Sequence, residues 1–451
     1  MNVETKEHGN YNLLRMISAV NKNTLTGGVK AMHRKNDIRQ IEKRQRITDK
    51  TLVVGMDIGC EFNAMCLMNK EGSVLGRYPK IYNSRRGFDF FHTIVETAKK
   101  KHRFTDVIIG MEPTGNYWRK IAFFAIEKGH EVRFIRTTAL KHQRELDESS
   151  SAKNDMRDAF TIANVVREGK YIDTVIEDNI FRQLRTLAHT RERIQRSNTG
   201  SKHALKGVLE DYFPELKDIF WSMKAKGLLA LLAQCPFPED VLKTDIDALT
   251  VLIAKSTRRK AKAQEKARQI YDSARQSVGL KHIGEADRYR VTAYLSEIRY
   301  SETQLKEIEL QMEVLLKQIP LAEHILSISG IGVITCGVFL GEMGNPDNFK
   351  DPKQIIKYAG YDPQEHDSGQ RTGRKIISKK GRWLLRKYLY FMAMRTVHRS
   401  PFFKEYYENK QKTMKKKEAL CAVIIKLIKV IFALLRDKRT FMEKQSCQKA
   451  A

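Results

Sequence analysis

The run Asp106-Val107-Ile108-Ile109-Gly110-Met111 constrains the fold of this chain more than any other stretch. It has the length of one strand and no polar position after the first, so both of its faces need cover. A strand covered on both sides sits inside a sheet with helices above and below it. The neighbouring sequence supplies those parts. Leu52-Val53-Val54-Gly55-Met56-Asp57-Ile58-Gly59 is a second apolar run with an acid near its end, and Asn63 to Asn69 reads as another strand. Glu71-Gly72 makes a turn and Ser73 to Tyr78 a third strand, which completes a meander. Helical spacing follows over Gly87 to Lys101, and Asn116 to Lys128 is a helix closed by Gly129. Glu131 to Ile135 is a further strand, and Asp155 to Glu168 a helix ended by Gly169.

Three antiparallel strands followed by alternating strand and helix is the order of an RNase H-like α/β domain, expected over residues 51–177. Residues 1–50 are polar and basic and read either as an extension that touches nucleic acid or as a disordered tail. Residues 178–320 read as helical throughout. Within them Val291, Leu295, Ile298, Leu305, Ile308, Met312, Leu315 and Ile319 recur at spacings of three, four or seven, with Glu302 at the missing position. That pattern predicts a coiled-coil arm of about four heptads, or else one long helix of a bundle. Residues 321–437 form a third, mainly α region, and 438–451 a tail. In the third region Leu326 to Leu340 reads as a helix-hairpin-helix turning on Gly330 and Gly332. Such a turn aims helix N-terminal amides at phosphate, although a plain αα-hairpin fits the same residues.

Lysine and arginine total 82 against 53 acids, a formal charge of +29. Self-repulsion of that size is relieved by a polyanion, and nucleic acid, which releases condensed counterions on binding, is the first choice over an anionic membrane surface. No apolar run is long enough to span a bilayer, since Lys426 and Lys429 interrupt the best one, and the N-terminus does not read as a signal peptide. The cysteines form no CxxC pair and no zinc spacing, so they read as reduced thiols of a cytoplasmic protein and a structural zinc site is not expected.

Four acids stand out. Asp57 ends the first strand, and Glu112 directly follows the strand at 106–111, in Glu112-Pro113-Thr114-Gly115. Strands one and four are neighbours in the expected sheet, so their ends can bring these two together. Asp155 and Asp158 stand three apart on one helix face. Converging carboxylates repel unless a cation joins them, and hard oxygen donors suit Mg²⁺ or Mn²⁺. Two such ions can clamp a phosphodiester. Singly, each acid has an ordinary explanation: a strand-end turn, a surface carboxylate, a first-turn charge favoured by the helix dipole. Taken with the strand order, they point to a metal site that acts on a phosphodiester.

These residues resemble a known family. Asp57-Ile58-Gly59, Glu112-Pro113-Thr114-Gly115-Asn116-Tyr117-Trp118 and Lys153-Asn154-Asp155-Met156-Arg157-Asp158-Ala159 are similar to the DEDD motifs of RuvC-like transposases of insertion-sequence family one-hundred-and-ten. Ile328-Ser329-Gly330-Ile331-Gly332, Tyr358-Ala359-Gly360-Tyr361-Asp362-Pro363, Asp367-Ser368-Gly369 and Ile377-Ser378-Lys379-Lys380-Gly381 resemble its second domain. The resemblance covers about residues 50–410, while the N-terminal extension and the long helical middle depart from it. It implies a recombinase that moves its own mobile element, with the DEDD acids holding metal and Ser368 as nucleophile. It further implies donor and target DNA, a structured guide RNA from the element, and a homodimer or homotetramer with composite active sites, in a prokaryotic, nucleoid-associated setting.

Serine is a poor nucleophile until its proton is lost, and the loop around Ser368 offers only His366 or Asp367 as a base. Beyond it Arg371, Arg374, Lys375, Lys379 and Lys380 form a basic strip beside the candidate nucleophile, suited to phosphate. Arg382 and Arg386 read as a solvated helix face, and Trp383 and Tyr390, seven apart, as core. Two rivals remain at this point: a junction-type structure-selective endonuclease that uses water, and a nucleic-acid-binding protein without catalysis.

Overall fold

The computed structural model describes residues 38–364 and 376–443, apart from 39, 77–78, 114, 148–154, 173–179 and 255–259. The chain divides into two compact units between residues 176 and 177.

The first unit is built on a five-stranded sheet of order β3-β2-β1-β4-β5. β1 (Thr51–Ile58) pairs antiparallel with β2 (Phe62–Met68), and β2 antiparallel with β3 (Lys80–Tyr82). On its other side β1 pairs parallel with β4 (Asp106–Met111), and β4 parallel with β5 (Glu131–Phe134). The neighbours expected for β1 and β4 are therefore present. One strand moves. The third was expected over 73–78, but Val74 makes only an isolated bridge to Met68, and the strand lies at 80–82. Gly76 at φ 108° breaks the earlier stretch, and Ile81, fully buried, is the apolar anchor that Val74, 37% exposed, is not.

Each sheet face carries its own core. Leu52, Val54, Met56, Ile109 and Met111 pack against α1 (Arg85–His102) and α2 (Trp118–Glu127). Ser84 caps α1 by accepting from the Gly87 N–H at 3.1 Å. On the opposite face Val53, Ala64, Cys66 and Ile108 pack against α4 (Asp155–Arg167), with Leu140 of α3 (Thr137–Asp147) beside them. β1 and β4 lack polar alternation because both faces are buried. Residues 40–47, assigned by sequence to the extension, join this unit. Ile47 is 2% exposed in the α4-side core, and Lys43 Nζ donates to the Tyr171 carbonyl at 2.7 Å.

Among its described residues the second unit is helical apart from loops and a two-stranded ribbon, β6 (Pro363–Gln364) with β7 (Ile376–Ile377). Its spine is two long helices, α5 (Ile180–Tyr212) and α11 (Glu285–Lys317), running antiparallel: Arg191 reaches Glu309 while Ser201 reaches Glu297. At one end Leu205, Leu209, Val291 and Leu295 share a core with the short helices α6 (Leu216–Ile219), α7 (Lys226–Leu232), α8 (Pro238–Leu242), α9 (Ile246–Ala254) and α10 (Lys260–Arg275). At the other, Leu184, Ala188, Ile308 and Met312 share a core with α12 (Ala322–Leu326), α13 (Val333–Met343), α14 (Pro352–Ala359), α15 (Trp383–Arg399), α16 (Pro401–Gln411) and α17 (Lys416–Asp437). The apolar seam predicted over 291–319 is thus one long helix partnered within its own unit. Its gap is filled by Ser301, buried, while Glu302 turns out to meet Lys202 at 2.7 Å.

Among the described residues no helix is long and apolar enough to cross a membrane, and the five described cysteines form no disulfide.

Candidate active site

In the β1–β4 register Gly55 stands opposite Gly110 and Met56 opposite Met111. Asp57 and Glu112 are each the next residue after that last pair. Side chains alternate along a strand, so Asp57 shares the face of Val53 and Gly55, and Glu112 that of Ile108 and Gly110. That is the face α4 covers.

The glycines let α4 approach. A Cβ on Gly55 would fall 2.0 Å from the Ala159 carbonyl oxygen and 2.5 Å from the Ala163 nitrogen. A Cβ on Gly110 would fall 2.2 Å from Val166 Cγ2. The helix therefore crosses the two strands at van der Waals distance, with Ala159, Ile162, Ala163 and Val166 inward. Helical spacing of three and four continues that inward stripe back to Asp158 and Asp155 in the first turn. Asp158 is 5% exposed and Glu112 8%, while Asp57 is half-buried and Asp155 exposed at the helix start. Carboxylates in a first turn also sit well in the helix dipole.

The segments around the quartet are held by contacts that sequence reading missed. Asn63, fully buried, donates from Nδ2 to Asn83 Oδ1 at 2.9 Å and accepts the Gly59 N–H at 3.3 Å. Asn83 in turn donates to the carbonyls of Gly59 at 3.0 Å and Cys60 at 2.8 Å. The turn just beyond Asp57 is thereby fixed. Beyond Glu112, Gly115 takes φ 57° and Trp118 packs edge-on against Phe134 at 4.7 Å. The Cys60 thiol beside it raises the Tyr117 phenol above its ordinary range.

Four carboxylates, if brought together, would suit a hard divalent cation. Among the described residues, though, the group whose ligand atoms all lie within 4.8 Å is not the quartet but His92, Glu96 and His130.

In the second unit Ser368, Arg371, Arg374 and Lys375 lie outside the described residues. The ribbon on either side of them is described: Pro363 pairs with Ile377 and Gln364 with Ile376. The Ser378 hydroxyl bonds Asp362 at its base, and the Tyr361 hydroxyl donates to the Arg386 carbonyl at 3.0 Å. Lys379 and Lys380 are exposed. Gly330, at φ 101°, meets a neighbouring helix: a Cβ there would lie 2.7 Å from the Arg395 carbonyl oxygen of α15. Its positive φ and lost side chain serve packing. The Gly332 N–H donates to Thr335 Oγ1 at 3.1 Å.

Two readings of the basic helix change. Arg382 bonds the Tyr358 hydroxyl and lies 3.7 Å from Glu342, and Arg386 donates to the Ala359 carbonyl at 3.1 Å, so both are structural. Trp383 is 41% and Tyr390 37% exposed, on the side of α15 away from its buried stripe Leu384, Leu385, Tyr388 and Leu389.

Residues 54–214 match a family described as Transposase, the DEDD transposase of IS110, and residues 322–408 match the one described as Transposase IS116/IS110/IS902 family. The chain belongs to the IS110 family of transposases. The first match contains all four acids of the quartet and the second contains the ribbon. This IS110-family chain is 25% identical over 324 residues to the insertion element IS110 43.6 kDa protein of Streptomyces coelicolor, spanning 71% of the chain and 79% of that protein. It is 23% identical over 354 residues to the insertion element IS116 44.8 kDa protein of Streptomyces clavuligerus, spanning 77% and 86%. It is also 28% identical over 151 residues to the pilin gene-inverting protein of Moraxella bovis, spanning 32% and 47%.

Proposed function

We propose that this IS110-family transposase cuts and rejoins the DNA of its mobile element with Asp57, Glu112, Asp155 and Asp158 as the metal-holding acids and Ser368 as the nucleophile. One observation supports the reading of the acids: the parallel β1–β4 register ends at Met56 and Met111, one residue before Asp57 and Glu112, and the face bearing Gly55 and Gly110 is covered by α4, which begins with Asp155 and Asp158. The strand order 3-2-1-4-5 supports an RNase H-like description of the sheet that presents them.

The quartet would hold Mg²⁺ or Mn²⁺, and a bound ion would draw charge from the scissile phosphate. Glu112 and Asp158, buried between sheet and helix, keep fixed positions, while Asp57 and Asp155 face the more open side. Ser368 gives up its hydroxyl proton and its oxygen bonds the phosphorus. The bond to the 3′ oxygen breaks, leaving a phosphoserine link and a free 3′-hydroxyl. A 3′-hydroxyl of the partner strand then attacks the link, restores a phosphodiester and returns the serine. No nucleotide hydrolysis is needed, because the bond energy stays in the link. Exposed Lys379 and Lys380, with Arg371, Arg374 and Lys375, suit the DNA backbone. A guide RNA and a homo-oligomer belong to the same reading.

The deciding experiment is to trap a DNA–protein adduct on denaturing gels with the natural chain and with Ser368→Ala. The expected result is an adduct with the first and neither adduct nor cleavage with the second. Cleavage that persists in Ser368→Ala, with no adduct in either, would show water as the nucleophile.

A further inference from the structure

On the sheet face opposite the quartet, His92 and Glu96 stand one helical turn apart on α1 and share a side of it. His130 lies where the chain leaves α2 for β5. Gly129 reverses the chain there at φ 81°, and the His130 N–H donates to the Ala125 carbonyl at 3.0 Å, which fixes the residue at the end of α2. One ligand atom from each of the three side chains lies within 4.8 Å of the other two. His92 packs edge-on against Phe124, and its ring centroid is 5.8 Å from that of His130.

Two features of this cluster point to a ligand. His130 is 7% exposed, and its Nε2 is buried with no hydrogen-bond partner. His92 Nδ1 is likewise buried and unpartnered. Buried ring nitrogens normally find a donor or acceptor, and a pair of them left without one beside a carboxylate is unusual. Glu96 is held only loosely, 3.3 Å from Lys99 with both side chains partly exposed, so it can turn to a cation.

We propose that His92, Glu96 and His130 form a binding site for a divalent transition-metal ion, zinc, that ties α1 to the start of β5. Two imidazole nitrogens and one carboxylate oxygen are a zinc donor set and leave a tetrahedral ion one position for water. Magnesium, which prefers all-oxygen coordination, is disfavoured here and suited to the quartet. The two sites therefore differ in ion as well as in face. The spacing of four, then 34, residues between the three ligands resembles no zinc motif, so only the fold reveals it.

The test uses the full-length protein stripped of metal and titrated with Co²⁺, whose visible absorption reports nitrogen-containing tetrahedral sites. One cobalt per chain should give a band that zinc displaces and excess Mg²⁺ leaves alone. His92→Gln and Glu96→Gln should each abolish it, while Asp155→Asn should retain it. Zinc should raise the melting temperature of the natural chain and of Asp155→Asn but not of His92→Gln. The melting temperature of each variant in chelator, compared with the metal-free natural chain, establishes that it is folded. Absence of the band in the natural chain overturns the proposal, as does a band that survives both His92→Gln and Glu96→Gln.

Discussion

Gly55 and Gly110 stand opposite one another on adjacent parallel strands, and α4 crosses the sheet at that point. The close approach of Ala159, Ala163 and Val166 to the sheet depends on neither residue having a side chain. Gly55→Ala puts a methyl group 2.0 Å from the Ala159 carbonyl oxygen, a backbone atom that cannot rotate aside. We expect a stability loss of roughly 1–3 kcal/mol in urea unfolding, with strand cleavage lost although all four acids remain. Cleavage at the natural rate in this variant would mean that the position of α4 does not matter to the chemistry.

Glu112→Gln keeps the shape of a nearly buried side chain and removes its charge. Strand cleavage in Mg²⁺ should fall by at least about 100-fold, the scale on which loss of one electrostatic stabiliser acts. DNA binding in chelator, where the acid has no ion to hold, should be unchanged or slightly tighter. A cleavage assay beside a filter-binding assay separates the two effects.

Burial lowers the pKa of His130, so the unfolded chain binds a proton there more readily than the folded one. Stability contributed by the neutral ring is present above about pH 6.5, the unfolded value, and is lost as pH falls through the lowered folded value. Metal-free protein should therefore melt at a lower temperature at pH 5 than at pH 7. His130→Gln, which cannot take up that proton, should show a smaller drop between the two.

Gly200 and Gly207 lie inside α5, and a Cβ at either position meets nothing within 4 Å. Gly200→Ala and Gly207→Ala should each stabilise the protein by roughly 0.5–1 kcal/mol, through helix propensity alone. A fall in the urea midpoint for either would show that its surface is occupied in the folded protein.

Glu342 is 2% exposed and gathers His189 at 2.7 Å, Arg185 at 3.5 Å and Arg382 at 3.7 Å. Glu342→Gln leaves those cations beside a neutral amide. Because the partners are about a third to a half exposed, water offsets part of the loss, and we expect destabilisation of about 1–3 kcal/mol. Salt titration of the urea midpoint in both proteins would separate the charge from the packing.

What could be read in the sequence follows burial. β1 and β4 are continuous apolar runs because each lies between two cores, and such runs need no partner to be recognised. β3 has three residues and a single buried one, Ile81, which leaves no period to detect. Helix α3 went unassigned. The proposed acids drew notice because they stand at strand and helix boundaries, whereas Asn63 and Asn83 act through a contact across the sheet edge that no local pattern announces. Gly330 shows the opposite error: its freedom in φ was plain, but the reason for it, the α15 backbone alongside, belongs to the tertiary structure. Arg382 and Arg386 looked like solvent-facing charges for the same reason, since their acceptors, Tyr358 and Ala359, lie on another helix.

The paired helices α5 and α11 run 33 residues each, about 50 Å, with an apolar core at either end and polar pairs between. Glu192, buried there, accepts from Lys387 at 2.7 Å and Arg196 at 3.0 Å. The middle therefore acts as a ruler, with length and phase set by residue count. Seven residues added to both helices at that level would move the ends apart by about 10 Å while turning them by only about 20°. Two added residues would lengthen the ruler by about 3 Å and turn one end by about 200°. Reach and orientation of the two cores can thus be changed independently of each other, by choosing the size of the insert.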